Sequence, residues 1–156
     1  MQLQGLKAEE ILMKLSDNFK KIEFFLSDID ETVLFKTRKN GGWTVKQIIG
    51  HLYDTQEVWG ERIKQCCMNP GTLLESYDPE SYVEKRDYNN ADLNRLLKDY
   101  KQLRNQMYSL LTAGNWEKEA YHPEEGTRTV KDLAETIMQH EIHHLKQLEE
   151  IKSKDR

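Results

Sequence analysis

Two histidines near the end of the chain have the spacing of a metal-binding pair. His140 and His144 are four residues apart, so on a helix their imidazoles lie one turn apart on the same face. They also fall on an apolar stripe, where an imidazole without a partner carries a desolvation cost of roughly 1–3 kcal/mol. A compensating partner is therefore expected, and a metal ion held by the two rings would supply it.

A third histidine, His51, adjoins Leu52 on the apolar side of an earlier predicted helix. If the two helices face each other, three imidazoles meet at one point in the protein interior. Three neutral imidazoles with a fourth, open position are typical of a catalytic rather than a structural metal site. The alternative is that these histidines only pack, each hydrogen-bonded to a carbonyl or a carboxylate, because spacing alone does not separate the two cases.

Asp54 lies one helical turn after His51. At that position its carboxylate could accept a proton from a ligand imidazole or from a metal-bound water, so Asp54 is a candidate general base or hydrogen-bond partner of a ligand. The alternative is an exposed aspartate, which is equally common on helices. The sequence contains no Ser-His-Asp arrangement, no glycine-rich phosphate loop and no dinucleotide fingerprint.

Other polar side chains are expected to lie outside this centre. His143 falls about 100° away from the stripe on a helical projection, which places it at the rim of the site, and His122 is expected in a loop. Glu57 and Glu141 are interpreted as solvated charges. Tyr100 could either pack in the core or donate a proton.

Four amphipathic helices are expected to position these groups. Apolar residues recur at alternating steps of three and four, the period of one helix face, from about residue 7 to 29, 44 to 66, 91 to 112 and 129 to 151. Thr44 with Gln47 forms a capping box for the second helix, and Thr129 caps the fourth. In the third helix the predicted stripe consists of Leu93, Leu96, Tyr100, Leu103, Met107 and Leu110.

The connections complete the predicted fold. The turn signal Asn69-Pro70-Gly71 opens a long connection over residues 67–90 with at most one short helical turn. No strand-like alternation of useful length is visible. The elements predict an all-α protein, a four-helix bundle with a long connection between helices 2 and 3, in a single domain over residues 1–156.

Composition narrows the class of protein. The 156 residues are 37% hydrophobic and 32% charged, with a net charge of −4. The chain therefore lacks the excess of positive charge that is typical of proteins that bind nucleic acid. No stretch approaches the ~18 apolar residues of a membrane span, and the first residues show no export signal, so the cytoplasm is expected. The adjacent Cys66 and Cys67 suit neither a disulfide nor a chelating pair, and we interpret them as small apolar residues in a reducing compartment.

Three segments together resemble one known family. Residues 42–52, 121–126 and 140–148 are similar to the DinB-like family, and the resemblance extends over nearly the whole chain. Its most specific pieces are the cap led by Trp43 and the closing pattern of two histidines four apart with Gln147 three residues further on. Members of this family are four-helix bundles, often dimers, that hold a divalent metal through one histidine of the second helix and two of the last.

The resemblance implies a metal centre of His51, His140 and His144. Related bacillithiol transferases and mycothiol-dependent maleylpyruvate isomerases use the metal to activate the sulfur of a small thiol, and other members are described as hydrolases. We therefore expect a metal-dependent enzyme, either a thiol transferase or a hydrolase, that activates a thiol cofactor or water against a small electrophilic or ester-like substrate. Imidazole suits zinc, nickel, iron, copper or, less well, manganese. A homodimer is also implied, and a non-catalytic metal-binding or protein-interaction bundle is the alternative.

Overall fold

The structure, a computed structural model, describes residues 6–154. Within that range it confirms the expected bundle, built from four long helices joined by a short helix and two β-hairpins. The elements in chain order are α1 (Ala8–Ser27), β1 (Thr37–Arg38), β2 (Gly41–Thr44), α2 (Val45–Met68), α3 (Pro79–Arg86), α4 (Leu93–Thr112), β3 (Glu119–His122), β4 (Gly126–Thr129) and α5 (Val130–Lys154). The ends of the four long helices lie within three residues of the predicted ones.

Capping boxes start both histidine-bearing helices. Before α2, Thr44 Oγ1 accepts a hydrogen bond from the backbone N–H of Gln47 at 3.2 Å, and Gln47 Oε1 accepts one from the N–H of Thr44 at 2.9 Å. Before α5, Thr129 and Asp132 make the same reciprocal pair at 3.1 and 2.9 Å. Each pair satisfies two backbone donors that a helix start leaves free.

The two β-hairpins were not predicted from the sequence. β1 pairs with β2 and β3 pairs with β4, both antiparallel, and each hairpin leads directly into α2 or α5. Strands of two to four residues are too short to produce a recognisable alternation of apolar and polar positions. The long connection also holds more helix than expected, since α3 is followed by a 3-10 turn at Tyr88–Asn90.

The bundle interior consists of two apolar clusters separated by polar side chains. One cluster contains Phe25, Ile49, Tyr100 and Leu148, and the other contains Leu15, Ile63, Leu111 and Leu133. Along each long helix, buried polar residues lie between members of the two clusters. We call this set the polar layer: Asn18 on α1, Thr55 and Gln56 on α2, Arg104 on α4 and Glu141 on α5.

The buried face of α4 corrects the sequence interpretation. On α4 the buried face includes Arg104 and Leu111, whereas the predicted stripe placed Leu103 and Leu110 there. Leu103 and Leu110 are instead only half-buried, and the buried Arg104 contacts Glu141 of α5 across the bundle. Among residues 6–154, no helix has the length and apolar character needed to cross a membrane.

Candidate metal centre

The structure brings the three predicted histidines together between α2 and α5. The Nε2 atoms of His51 and His140 lie 2.7 Å apart, and those of His140 and His144 lie 3.1 Å apart. Within the described part of the chain, these three form a group whose ligand atoms all lie within 4.8 Å of one another. His51 is buried and the other two are half-buried.

Gln147 determines which nitrogen of His144 faces the other rings. Its amide oxygen Oε1 lies 2.8 Å from His144 Nδ1. An amide oxygen only accepts hydrogen bonds, so Nδ1 of His144 carries the proton and the neutral ring leaves Nε2 as a bare lone pair. That lone pair is directed at His140 Nε2.

Burial keeps the histidines in the neutral form that binds metals. It lowers the pKa of His51 to about 4, with a smaller contribution from repulsion by His144. It lowers the pKa of His140 to about 3, again with repulsion from the neighbouring imidazoles. The pKa of His144 is also lowered, mainly by burial. At neutral pH all three rings are therefore unprotonated at one nitrogen and available as ligands.

These residues fit a divalent ion. His140 Nε2 faces the Nε2 atoms of both other rings, and one ring nitrogen is either a donor or an acceptor in a neutral imidazole. The ring nitrogens therefore satisfy one another poorly, whereas an ion accepts a lone pair from each. The Nδ1 atoms of His51 and His140 are buried and make no hydrogen bond to the residues described.

The β1–β2 hairpin covers one side of the centre. Trp43 of β2 packs on His51 with ring centroids 4.7 Å apart. The positive charge of Arg38, on β1, contributes to lowering the pKa of His144, after larger effects of burial and of His143. His143 is exposed beside His144, with ring centroids 5.0 Å apart, which agrees with its expected position at the rim.

Asp54 is buried and hydrogen-bonded to residues other than the three histidines. Its Oδ1 accepts hydrogen bonds from Tyr88 and from Arg86, the latter at 2.8 Å. Burial raises the pKa of Asp54 to about 6, opposed by the hydrogen bonds from Tyr88 and Arg86. The exposed-aspartate alternative is thus wrong, while a role of Asp54 as general base stays a prediction.

Glu141 is not the solvated charge expected from the sequence. It is 1% exposed and accepts hydrogen bonds from Tyr100 and Arg104 of α4 and from Asn18 of α1. Glu57 is partly exposed but forms an ion pair with Arg86 at 2.8 Å. The arginine that pairs with Glu57 and the arginine that pairs with Glu141 are both distant in the sequence, so no local sequence pattern indicates either ion pair.

His122 and the cysteines have structural surroundings. His122 ends β3 rather than lying in a loop, and its Nδ1 accepts hydrogen bonds from the N–H groups of Glu124 and Glu125, both at 3.1 Å. Cys66 is buried and Cys67 is half-buried, and both are free. Burial raises the pKa of Cys66 to about 11, which makes it a poor nucleophile at neutral pH.

Comparison with known proteins identifies the family of this chain. Residues 14–148 match the DinB superfamily. This chain belongs to that superfamily. A DinB relative from Oceanobacillus iheyensis is 25% identical over 147 residues, which cover 92% of this chain and 85% of the relative. A second, from Bacillus mycoides, is 27% identical over 147 residues and covers 90% and 84%. Both carry the name "Putative metal-dependent hydrolase".

Solved structures of similar proteins show the same DinB fold. YfiT from Bacillus subtilis, described as "a probable metal-dependent hydrolase with an unusual four-helix bundle topology", superposes with a TM-score of 0.87 at 20% identity. The match covers 99% of this chain and 92% of YfiT. A mycothiol-dependent maleylpyruvate isomerase superposes with a TM-score of 0.73 at 13% identity, over 92% of this chain and 61% of the isomerase.

Proposed function

We propose that this protein is a metal-dependent enzyme in which His51, His140 and His144 hold a divalent ion that activates a thiol or a water molecule. The substrate would be a small electrophilic or ester-like compound. The observation that carries the proposal is the convergence of three neutral ring nitrogens, one of them fixed as a lone pair by the hydrogen bond from His144 to Gln147.

The neutral donor set determines how the ion would behave. When bound, a divalent ion stabilises the anion in its open position, and so favours hydroxide over water or thiolate over thiol. The described histidine cluster contains no carboxylate and no cysteine, so its ligands leave the charge of the ion uncompensated. The full positive charge would then stabilise the anionic form of the nucleophile, hydroxide or thiolate.

Different observations support the two nucleophiles. The names of the DinB relatives support hydrolysis, which also requires a general base close to the water. Asp54 is the sequence candidate for that base: Arg86 and Tyr88 occupy its Oδ1, and its Oδ2 makes no hydrogen bond to the residues described. A thiol needs less help from a base because its pKa is already near 8.5, and the isomerase with the same fold is named for its thiol, mycothiol. A cytoplasmic location is part of this proposal, since that compartment keeps small thiols reduced.

The first test is metal content. After extensive dialysis, elemental analysis of the purified protein should find about one divalent ion per chain, as expected for one three-histidine site. The His51→Ala variant should lose it, because two imidazoles remain. The matched control is Gln139→Ala, which alters an exposed residue of the same helix next to His140 and should retain the ion. Unchanged stoichiometry in His51→Ala would contradict the proposed ligand set.

The second test separates the two chemistries. Metal-loaded protein is assayed for conjugation of small thiols to 1-chloro-2,4-dinitrobenzene and, separately, for hydrolysis of p-nitrophenyl acetate. One of the two activities should disappear both in His51→Ala and after treatment with a chelator. A protein that binds the ion but accelerates neither reaction would instead support the non-catalytic metal-binding alternative.

A further inference from the structure

We propose that Glu141, through its buried ion pair with Arg104, is a positioning residue for the metal centre. The pair holds α5 at the rotation and height at which His140 and His144 meet His51. This inference rests on the proposed metal-binding function. Glu141 and Arg104 belong to the polar layer and are not among the three proposed ligands.

The contacts of Glu141 fasten α5 to two other helices at one level. Its Oε2 accepts hydrogen bonds from Tyr100 and from Arg104 Nη2, both on α4. Its Oε1 accepts one from Asn18 Nδ2 of α1 at 3.2 Å. Asn18 Nδ2 also donates to the backbone carbonyl of Met138 at 3.1 Å. Both sides of His140 along α5 are thereby tied to the rest of the bundle.

Small movements of α5 would be sufficient to disrupt the site. Side-chain ends stand roughly 6 Å from a helix axis, so a rotation of about 20° displaces them by about 2 Å. Metal sites tolerate deviations of only about 0.2 Å from ligand distances near 2.0–2.1 Å. Because Glu141 directly follows His140, the interactions that fix its orientation also fix that of the ligand.

Stability alone does not account for this buried pair. Arg104 and Glu141 are each 1% exposed, and removing two charges from water costs about as much as their attraction returns, so apolar replacements are often neutral or stabilising. Arg104 also leaves its Nε and Nη1 atoms buried without a hydrogen bond to any described residue. Apolar stripes can slide past one another, whereas the directed hydrogen bonds from Tyr100, Arg104 and Asn18 to Glu141 are all satisfied in one arrangement.

The test removes the pair while leaving all three ligands in place. The double variant Glu141→Leu/Arg104→Met should fold with an unchanged or higher Tm but bind metal 10- to 100-fold more weakly, as measured by competition with a chromophoric chelator. The visible spectrum of the Co²⁺-loaded variant should also change, because its ligand geometry differs. Glu141→Gln keeps one acceptor oxygen for Tyr100 and Arg104 but turns the oxygen that accepts from Asn18 into a donor, so its affinity should lie between those of the double variant and the wild type.

A matched pair of charges serves as the control. Glu23 of α1 and Lys101 of α4 lie 4.0 Å apart at the surface, and Glu23→Gln/Lys101→Gln should leave the metal affinity unchanged. If Glu141→Leu/Arg104→Met binds metal within twofold of the wild type with the same Co²⁺ spectrum, the inference is overturned. Should that variant fail to fold, Arg104→Gln takes its place, since it removes the positive charge of the pair while keeping a polar side chain at that position, and an unaltered affinity there overturns the inference equally. Absence of metal from the wild type would refute the proposed function instead.

Discussion

At the scale of single residues, the chemistry of the centre depends on where protons reside. His144 presents a lone pair to the other rings because Gln147 accepts its only N–H. Gln147 in turn places its amide nitrogen 3.2 Å from His143 Nε2, so the exposed histidine helps to hold the amide in the orientation that the ligand requires. Hydrogen-bond partners of this kind fix both the tautomer and the ring orientation of a metal ligand.

Replacing Gln147 should therefore weaken metal binding without unfolding the protein. In Gln147→Leu the Nδ1 proton of His144 loses its acceptor, and we expect a 10- to 100-fold loss of metal affinity with little change in Tm. Competition with a chelator measures the affinity. Gln139→Leu, an exposed position one residue before His140, is the control and should bind as the wild type does. Equal affinities for the two variants would show that Gln147 has no influence on the ligand.

At the scale of elements, there is no space for a side chain on α2 at Gly50, the residue before His51. A Cβ atom added to Gly50 would lie 2.1 Å from the ring of Tyr88, the residue that donates a hydrogen bond to Asp54. The absence of a side chain at Gly50 thus lets the segment after α3 pack directly on α2. A Cβ atom added to Gly60, on the same helix, would meet only the side-chain nitrogen Nε2 of Gln56, at 3.2 Å.

The two glycines should respond to alanine in opposite directions. Alanine is favoured over glycine inside a helix by about 1 kcal/mol, and Gly60→Ala should gain up to that amount. In Gly50→Ala the overlap with Tyr88 should outweigh this gain and leave a net loss of about 1–3 kcal/mol. Urea unfolding of the metal-free proteins measures both free energies. A stabilised Gly50→Ala would mean that Tyr88 moves away at little cost.

At the scale of the whole molecule, an apolar groove lies between α1 and α5. It has a volume of about 930 Å³ and includes Phe24, which is 68% exposed. Lys20 and Lys21 lie on its α1 side, and Glu149 and Glu150 on its α5 side. A two-fold axis running along the groove would set the lysines of one copy against the glutamates of the other, so its charges can complement a second copy of this chain.

The homodimer implied by the family resemblance is expected to use this groove. Phe24→Glu should shift the protein from dimer to monomer in light scattering coupled to size exclusion, because it places a charge in the centre of the apolar surface. Met13→Glu alters another exposed apolar residue of α1, 63% exposed and outside the groove, and should remain dimeric. A wild-type protein that is monomeric at high concentration would contradict the expectation.

Short-range patterns in the sequence determine much of the secondary structure of this protein. Steps of three and four between apolar residues place the four long helices, and the capping threonines Thr44 and Thr129 mark where α2 and α5 begin. The spacing of His140 and His144 needs only the geometry of one helix. Spacing alone left open whether His51 converges with them, because a histidine on an apolar face can also be compensated by a carbonyl or a carboxylate, and the resemblance to the DinB-like family favoured convergence.

Only the tertiary structure decided which charges are buried and what they contact. Glu141 finds Arg104 37 residues away, and Asp54 finds Arg86 32 residues away, so neither pairing leaves a periodic signal in the sequence. The burial of Arg104 in place of Leu103 on α4 accompanies the same long-range pairing. Apolar stripes specify that helices pack together, whereas directed hydrogen bonds between distant residues select one rotation and height among the arrangements that such stripes permit.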